Sequence, residues 1–145
     1  MSEGTVELLD RLPPELLDQL CDLYEAEWWT RGRSRESVER AIAGSTEIVA
    51  AVRGDRLVGF ARALSDTAYR AIVFDVIVVP ELRGSGLGRR VMDAILAAPA
   101  VAASNRVELI CLPEMAPFYE RWGFEPAQPG VLRMIRGGEI SAEEA

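Results

Sequence analysis

Pro80-Glu81-Leu82-Arg83-Gly84-Ser85-Gly86-Leu87-Gly88-Arg89-Arg90 is the stretch on which the reading of this 145-residue chain turns. An almost wholly apolar run, Ala71–Val79, precedes it, and a segment in which Val91, Met92, Ile95 and Leu96 recur at helical spacing follows it to about Ala98. The order strand, glycine loop, amphipathic helix turns consecutive backbone N–H groups into one concavity, and the helix start adds partial positive charge. A phosphate is the natural guest, and Arg83, Arg89 and Arg90 add cations nearby. A glycine turn without a ligand is the alternative. Two nucleotide patterns fail here: no Lys follows as a Walker loop requires, and Arg89 stands where GxGxxG needs its third Gly.

Outward from the loop, the chain alternates its period. A short strand over Thr5–Leu9 precedes Pro13-Pro14, which open a helix from Glu15 to about Trp28 with Leu16, Leu17, Leu20, Cys21, Leu23 and Tyr24 on one face. Ser34 caps a second helix through Val38, Ala41 and Ile42, ended by Gly44. Strands follow at Glu47–Arg53 and Leu57–Leu64, joined by Gly54-Asp55-Arg56. Ala71–Val79, apolar on both sides, reads as the sheet centre, and Asp75 is the one charge within it. Arg106–Cys111 and Val131–Arg136 read as later strands around a short helix at Met115–Arg121. The expectation is one domain over residues 1–136, followed by a loose acidic tail, Gly137–Ala145.

Composition removes much chemistry. The chain has no His, so Ser-His-Asp triads, His-activated cysteines and His-containing zinc sites are excluded. All 16 basic residues are Arg, which removes Schiff-base lysines. Cys21 and Cys111 lack disulfide or metal-ligand spacing and read as reduced core residues, so no metal is expected. Residues 1–29 hold eight carboxylates against Arg11 alone and so carry the whole net charge of −7, which disfavours nucleic acid as a partner. No apolar run reaches the length of a membrane span, and Glu3, Glu7 and Asp10 stand where a signal peptide carries positive charge. A cytoplasmic location without membrane contact is the expectation.

With the loop, its flanking elements and a second motif in view, the chain resembles the GCN5-related N-acetyltransferase (GNAT) family. Arg83-x-x-Gly86-x-Gly88 matches the family's acetyl-CoA signature, and Pro117-Phe118-Tyr119-Glu120-Arg121-Trp122-Gly123-Phe124 looks like its PFYxxxGF junction. The resemblance covers nearly the whole chain. It implies an α+β fold: a mixed, mostly antiparallel sheet of six to seven strands, about four helices, and central strands that splay into a V-shaped slot. Possible homodimers are common among such proteins.

Carried over residue by residue, the resemblance places the backbone of Gly84, Ser85, Gly86, Leu87, Gly88 and Arg89 around the pyrophosphate of acetyl-CoA, with Arg83, Arg89 and Arg90 as local cations. Val76, Ile77 and Val78 would run along the pantetheine by strand-like pairing. Tyr119 would protonate the departing thiolate; its alternative is a core aromatic among Phe118, Trp122 and Phe124. The base is open. Ile72 and Phe74 occupy positions where some relatives carry Glu or His, and Asp75 matches an acidic residue of others, yet alternation points it to the face opposite Phe74. A buried Asp held by backbone or Arg is its alternative, and Glu27 and Glu108 remain candidates. The acceptor, a small-molecule amine or a protein amine, would meet Tyr24, Trp28 and Trp29 beside the excess carboxylates, unless these form only a solvated face. Arg31, Arg33 and Arg35 could instead receive a carboxylate or the 3′-phosphate of CoA. The rival to an N-acetyltransferase is a non-catalytic acetyl-CoA-binding sensor or assembly module.

Overall fold

The computed structural model describes residues 4–138, and the chain divides after Glu108 into two compact units. In the first, Pro14 opens a single 3-10 turn, Pro14–Leu16, that leads into helix α1, Leu17–Ala26, so Trp28 and Trp29 lie beyond the helix. Helix α2, Arg35–Gly44, starts where Ser34 accepts the Ser37 amide on its hydroxyl at 3.1 Å. Five strands form one sheet in chain order: β1 Glu7–Leu9, β2 Glu47–Arg53, β3 Arg56–Ser65, β4 Arg70–Val78 and β5 Arg106–Glu108. All neighbours are antiparallel except β4 and β5, which are parallel. Helices α3, Leu87–Ala97, and α4, Pro99–Ala102, make the crossover between them.

The sheet buries both faces. On one, Leu16, Leu17, Leu20 and Tyr24 from the α1 region and Val38 from α2 pack with Ala50, Val52, Leu57, Phe60 and Ile77. Each such fully buried large side chain contributes roughly 1.5–3 kcal/mol. Gly59, next to Phe60, faces the other side. A Cβ there would stand 3.2 Å from the Ala51 Cβ and 3.4 Å from a Val91 methyl, so glycine lets α3 sit close against β2 and β3. Gln19 ties α1 to the β2–β3 turn, donating to the Asp55 carbonyl at 2.9 Å and accepting the Leu57 amide at 2.8 Å.

The second unit holds a single 3-10 turn, Pro113–Met115, and helix α5, Ala116–Glu120. The expected sheet of six to seven strands is thus a sheet of five among the described residues, with five helices. Arg106–Cys111 ends as a strand at Glu108, and Val131–Arg136, expected as a strand, finds no ladder partner among the described residues. Val131, Leu132 and Met134 are correspondingly exposed. Residues 139–145 of the expected acidic tail lie outside the described residues.

Candidate active site

Strand β4 carries both halves of the site in the first unit. Its pairing with β3 slips between Phe60 and Arg62: Arg62 opposes Phe74 while Phe60 opposes Ile77, so β4 holds one residue more than its partner. This is a β-bulge. Asp75 sits in it with φ +57°, a left-handed conformation rare outside glycine. The bulge overrides simple alternation, because the Asp75 carboxylate emerges on the face of Phe74 and Arg62 instead of the opposite one.

On that face Asp75 is saturated with donors. Its Oδ2 accepts from the Arg62 Nε at 2.7 Å, an Arg33 Nη at 2.9 Å and the Tyr24 hydroxyl at 2.9 Å. Arg33 also lies over the Tyr24 ring, 4.7 Å from its centroid, and Arg62 lies over Phe74 at 4.8 Å. Burial alone would raise the Asp75 carboxyl, but hydrogen bonds and charge from Arg33 and Arg62 outweigh it and hold the group below the usual carboxylate range. Burial, then the charge of Asp75, push the Tyr24 hydroxyl far up, so it stays a donor. A carboxylate so stabilised is a weak base.

Toward its C-terminal end β4 keeps only one ladder partner among the described residues. Pairing with β5 covers Arg70, Ala71 and Ile72 only, so from Val73 onward β4 is laddered to β3 alone. The Val79 amide donates to the Val58 carbonyl at 3.0 Å, and alternation therefore turns the Val78 and Val76 amides to the edge away from β3. After the 3-10 turn Pro80–Leu82, Gly84 and Gly86 take φ +81° and +92°, and Gly86 caps α3. Added Cβ atoms at both would meet nothing within 4 Å. The Ser85 amide returns to the Leu82 carbonyl, whereas the amides of Gly84, Gly86, Gly88 and Arg89 find no acceptor among the described residues. This open, N–H-lined turn at a helix start fits a phosphate.

The three arginines of the loop are not equivalent. Arg83 donates to the Val78 carbonyl at 3.1 Å and pairs with Glu27 at 2.7 Å, and Arg90 donates to the Val6 carbonyl at 3.0 Å. Arg89 has no partner among the described residues. Of the acceptor-side residues, Tyr24 is buried at 1% exposure, whereas Trp28 and Trp29 stand 41% and 36% exposed as an edge-to-face pair 5.5 Å apart. Arg31, Arg33 and Arg35 are all engaged, by the Glu25 carbonyl, Asp75 and Asp18. Glu108 pairs with Arg70.

In the second unit, Phe118, Tyr119, Trp122 and Phe124 pack edge to face, with centroids 5.0 to 6.3 Å apart. Gly123 takes φ +85° where the chain leaves α5. Burial, and less so the neighbouring Cys111, push the Tyr119 phenol up to about 12, and its hydroxyl makes no hydrogen bond among the described residues. Cys111 and Cys21 are half-buried free thiols that burial pushes up, so neither is an activated nucleophile.

Sequence reasoning missed Arg62, Thr30 and the partners of Arg33. A signal for Arg62 existed, since it and Asp75 are the lone interior charges of adjacent apolar strands. Thr30, 1% exposed and donating to the Tyr24 carbonyl at 2.6 Å, left none.

Among the described residues no helix is long and apolar enough to cross a membrane. The family model of the acetyltransferase (GNAT) domain matches residues 14–133. An uncharacterised N-acetyltransferase, ycf52, of Porphyra purpurea is 34% identical over 123 residues, covering 82% of this chain and 68% of its own. A chloroplastic protein of Oryza sativa subsp. japonica named serotonin N-acetyltransferase 2 is 36% identical over 97 residues, 63% of this chain and 48% of that one. A crystal structure from Xanthomonas campestris pv. campestris, assigned to the same family, superposes with a TM-score of 0.75 at 30% identity, covering 91% of this chain and 94% of the other. The chain belongs to the GNAT family of acetyltransferases.

Proposed function

We propose that the chain transfers the acetyl group of acetyl-CoA to a primary amine by direct attack in a ternary complex. The observation that carries this reading is the turn at Gly84 and Gly86, whose unpaired amides open the first turn of α3 directly after a strand with a free edge. Gly84 to Arg89 hold the pyrophosphate by backbone N–H groups, and Arg89 is the cation free to join them. The pantetheine lies along Val76, Ile77 and Val78, in a slot beside the free edge of β4. The outward amides of Val76 and Val78 polarise the thioester carbonyl. The amine nitrogen attacks that carbon, the C–S bond breaks, and Tyr119 supplies the proton that the thiolate takes up. Its raised pKa keeps that proton in place at neutral pH. The amine loses its own proton to solvent, since two guanidinium groups make Asp75 too weak a base to take it. Trp28 and Trp29 form the acceptor face. Their exposed rings suit a cationic aromatic amine, and the rice relative named for serotonin is in keeping with that class.

Thermal denaturation tests the first step. Acetyl-CoA at 100 times its dissociation constant should stabilise the fold by about 2.7 kcal/mol. No response to millimolar acetyl-CoA or CoA would end the reading. Release of CoA thiol across a panel of amines then separates enzyme from binding module, because a sensor would show the shift and release nothing.

A further inference from the structure

The loop at residues 27–34 is pinned at both ends to the two functional regions of β4. At its start, Glu27 is the C-terminal cap residue of α1, and its carboxylate, 16% exposed, pairs with Arg83 at the base of the glycine loop. At its end, Arg33 grips Asp75 with two nitrogens, at 2.9 and 3.4 Å, while its guanidinium covers the Tyr24 ring. Between these points the loop is tied to α1: Thr30 donates to the Tyr24 carbonyl, Arg31 to the Glu25 carbonyl, and the Gly32 amide to the Glu25 carboxylate. The tryptophan pair is the large apolar surface that the loop presents to solvent. Ordering eight loop residues costs conformational entropy, so a loop held by this many partners is built to present a fixed surface. Of the three carboxylates that could be taken for a base, Asp75 and Glu27 are spent as anchors of this loop, and Glu108 pairs with Arg70.

We infer that Glu27–Arg83 and Arg33–Asp75 form a two-point clamp that positions the acceptor amine by fixing Trp28 and Trp29 against the donor-binding strand. Asp75 and Glu27 are then positioning residues, and the glycine loop and the acceptor face are coupled through Arg83. The inference rests on the acceptor face proposed above. Removing Arg33 leaves Asp75 its contacts with Arg62 and Tyr24, so the fold should survive Arg33→Gln, and Glu27→Gln keeps the shape of that half-buried side chain while removing the charge that pairs with Arg83.

Hydrogen–deuterium exchange and steady-state kinetics on the full chain test it together. In Arg33→Gln, the amides of residues 27–34 should exchange at least about tenfold faster while those of β3 and β4 stay unchanged. With acetyl-CoA as donor, the KM for the best amine of the panel should rise about 10- to 100-fold, with the KM for acetyl-CoA nearly constant. Glu27→Gln should loosen the same amides, and Arg33→Lys, which keeps charge but loses the fork, should restore part of the amine KM. Unchanged loop exchange in both Arg33→Gln and Glu27→Gln would overturn the clamp. Faster exchange with an unaltered amine KM would overturn the positioning role. A wild-type chain that acetylates no amine would refute the enzymatic reading and this role with it, while acetyl-CoA-responsive exchange in the loop would still report the clamp as a coupling device.

Discussion

The bulge inside β4 and the glycine loop that follows the strand hold charge in opposite ways. At Gly84–Arg89 the chain offers backbone N–H groups in an open turn with almost no side-chain commitment, whereas at the Asp75 bulge every polar contact is made by side chains from three distant segments. The first arrangement leaves backbone N–H groups without acceptors among the described residues, as the proposed phosphate site requires. The second is complete without one. A group that already has three donors on one oxygen has little left to offer a substrate, and for that reason the proposed function puts the chemistry at the glycine loop and the proposed clamp puts positioning at the bulge.

The largest effect that would break this contrast is loss of the Asp75 charge. Asp75→Asn strands Arg62, only 12% exposed in its side chain, and Arg33 without a counter-ion, and should destabilise the fold by about 3–5 kcal/mol in urea denaturation. The folded carboxyl lies below its ordinary 3.8, so its contribution is present above about pH 4 and is lost as pH falls through the folded value. Wild-type stability should therefore drop in that acid window, and the Asn variant should lack that part of the slope. A near-neutral Asp75→Asn would return the carboxylate to the list of catalytic candidates.

Next in size, Tyr119→Phe should keep the aromatic packing and acetyl-CoA affinity while turnover falls about 10²-fold, the lower end of general-acid effects, because CoA thiolate is already a fair leaving group. With the phenol at about 12, no alkaline limb from Tyr119 should appear in the wild-type pH–rate profile below about pH 11. A limb near pH 9 that disappears in the Phe variant would mean that ligands shift the phenol strongly downward. The smallest effect sharpens the other half of the contrast. Gly86→Val would strain a left-handed cap whatever the ligand did, so Gly86→Asn, a residue that tolerates φ above zero, is the cleaner probe. It should weaken acetyl-CoA about tenfold by calorimetry with a melting temperature within a few degrees of wild type.

The glycine end was legible from the sequence because its determinants are local: glycines between a β-rich run and a 3.6-residue period leave few other conformations. Ser34 as a cap and β2, β3 and β4 to within a residue or so were legible for the same reason. The bulge was not, since Asp75 and Val76 sit in an unbroken strand-like run with no glycine to mark it, and its left-handed turn is imposed by the tertiary partners of the carboxylate. Tyr24 read as part of an acceptor face because its carboxylate neighbours in sequence are on the outer side of α1, while the ring itself turns inward to Phe60, 6.1 Å away edge to face. The expected last strand has the same origin: Val131–Arg136 is apolar at four of its six positions, but a strand exists only where another ladder receives it.

The extra residue of β4 also bears on how this chain can change length. Deleting Val76 would leave Arg62 opposite Phe74 and Phe60 opposite Ile77, so the hydrogen-bonded ladder could close with no further shift. Asp75 would then oppose Ala61 and, by alternation, point to the side of the sheet that packs on α3, away from the Arg62 and Arg33 that now hold it. A single-codon deletion that the backbone could absorb would thus be rejected by one side chain, whereas the same deletion paired with Asp75→Ala would be far better accommodated. Where an insertion is recorded in a strand by the charge it turns around, length and polarity at that point can only change together.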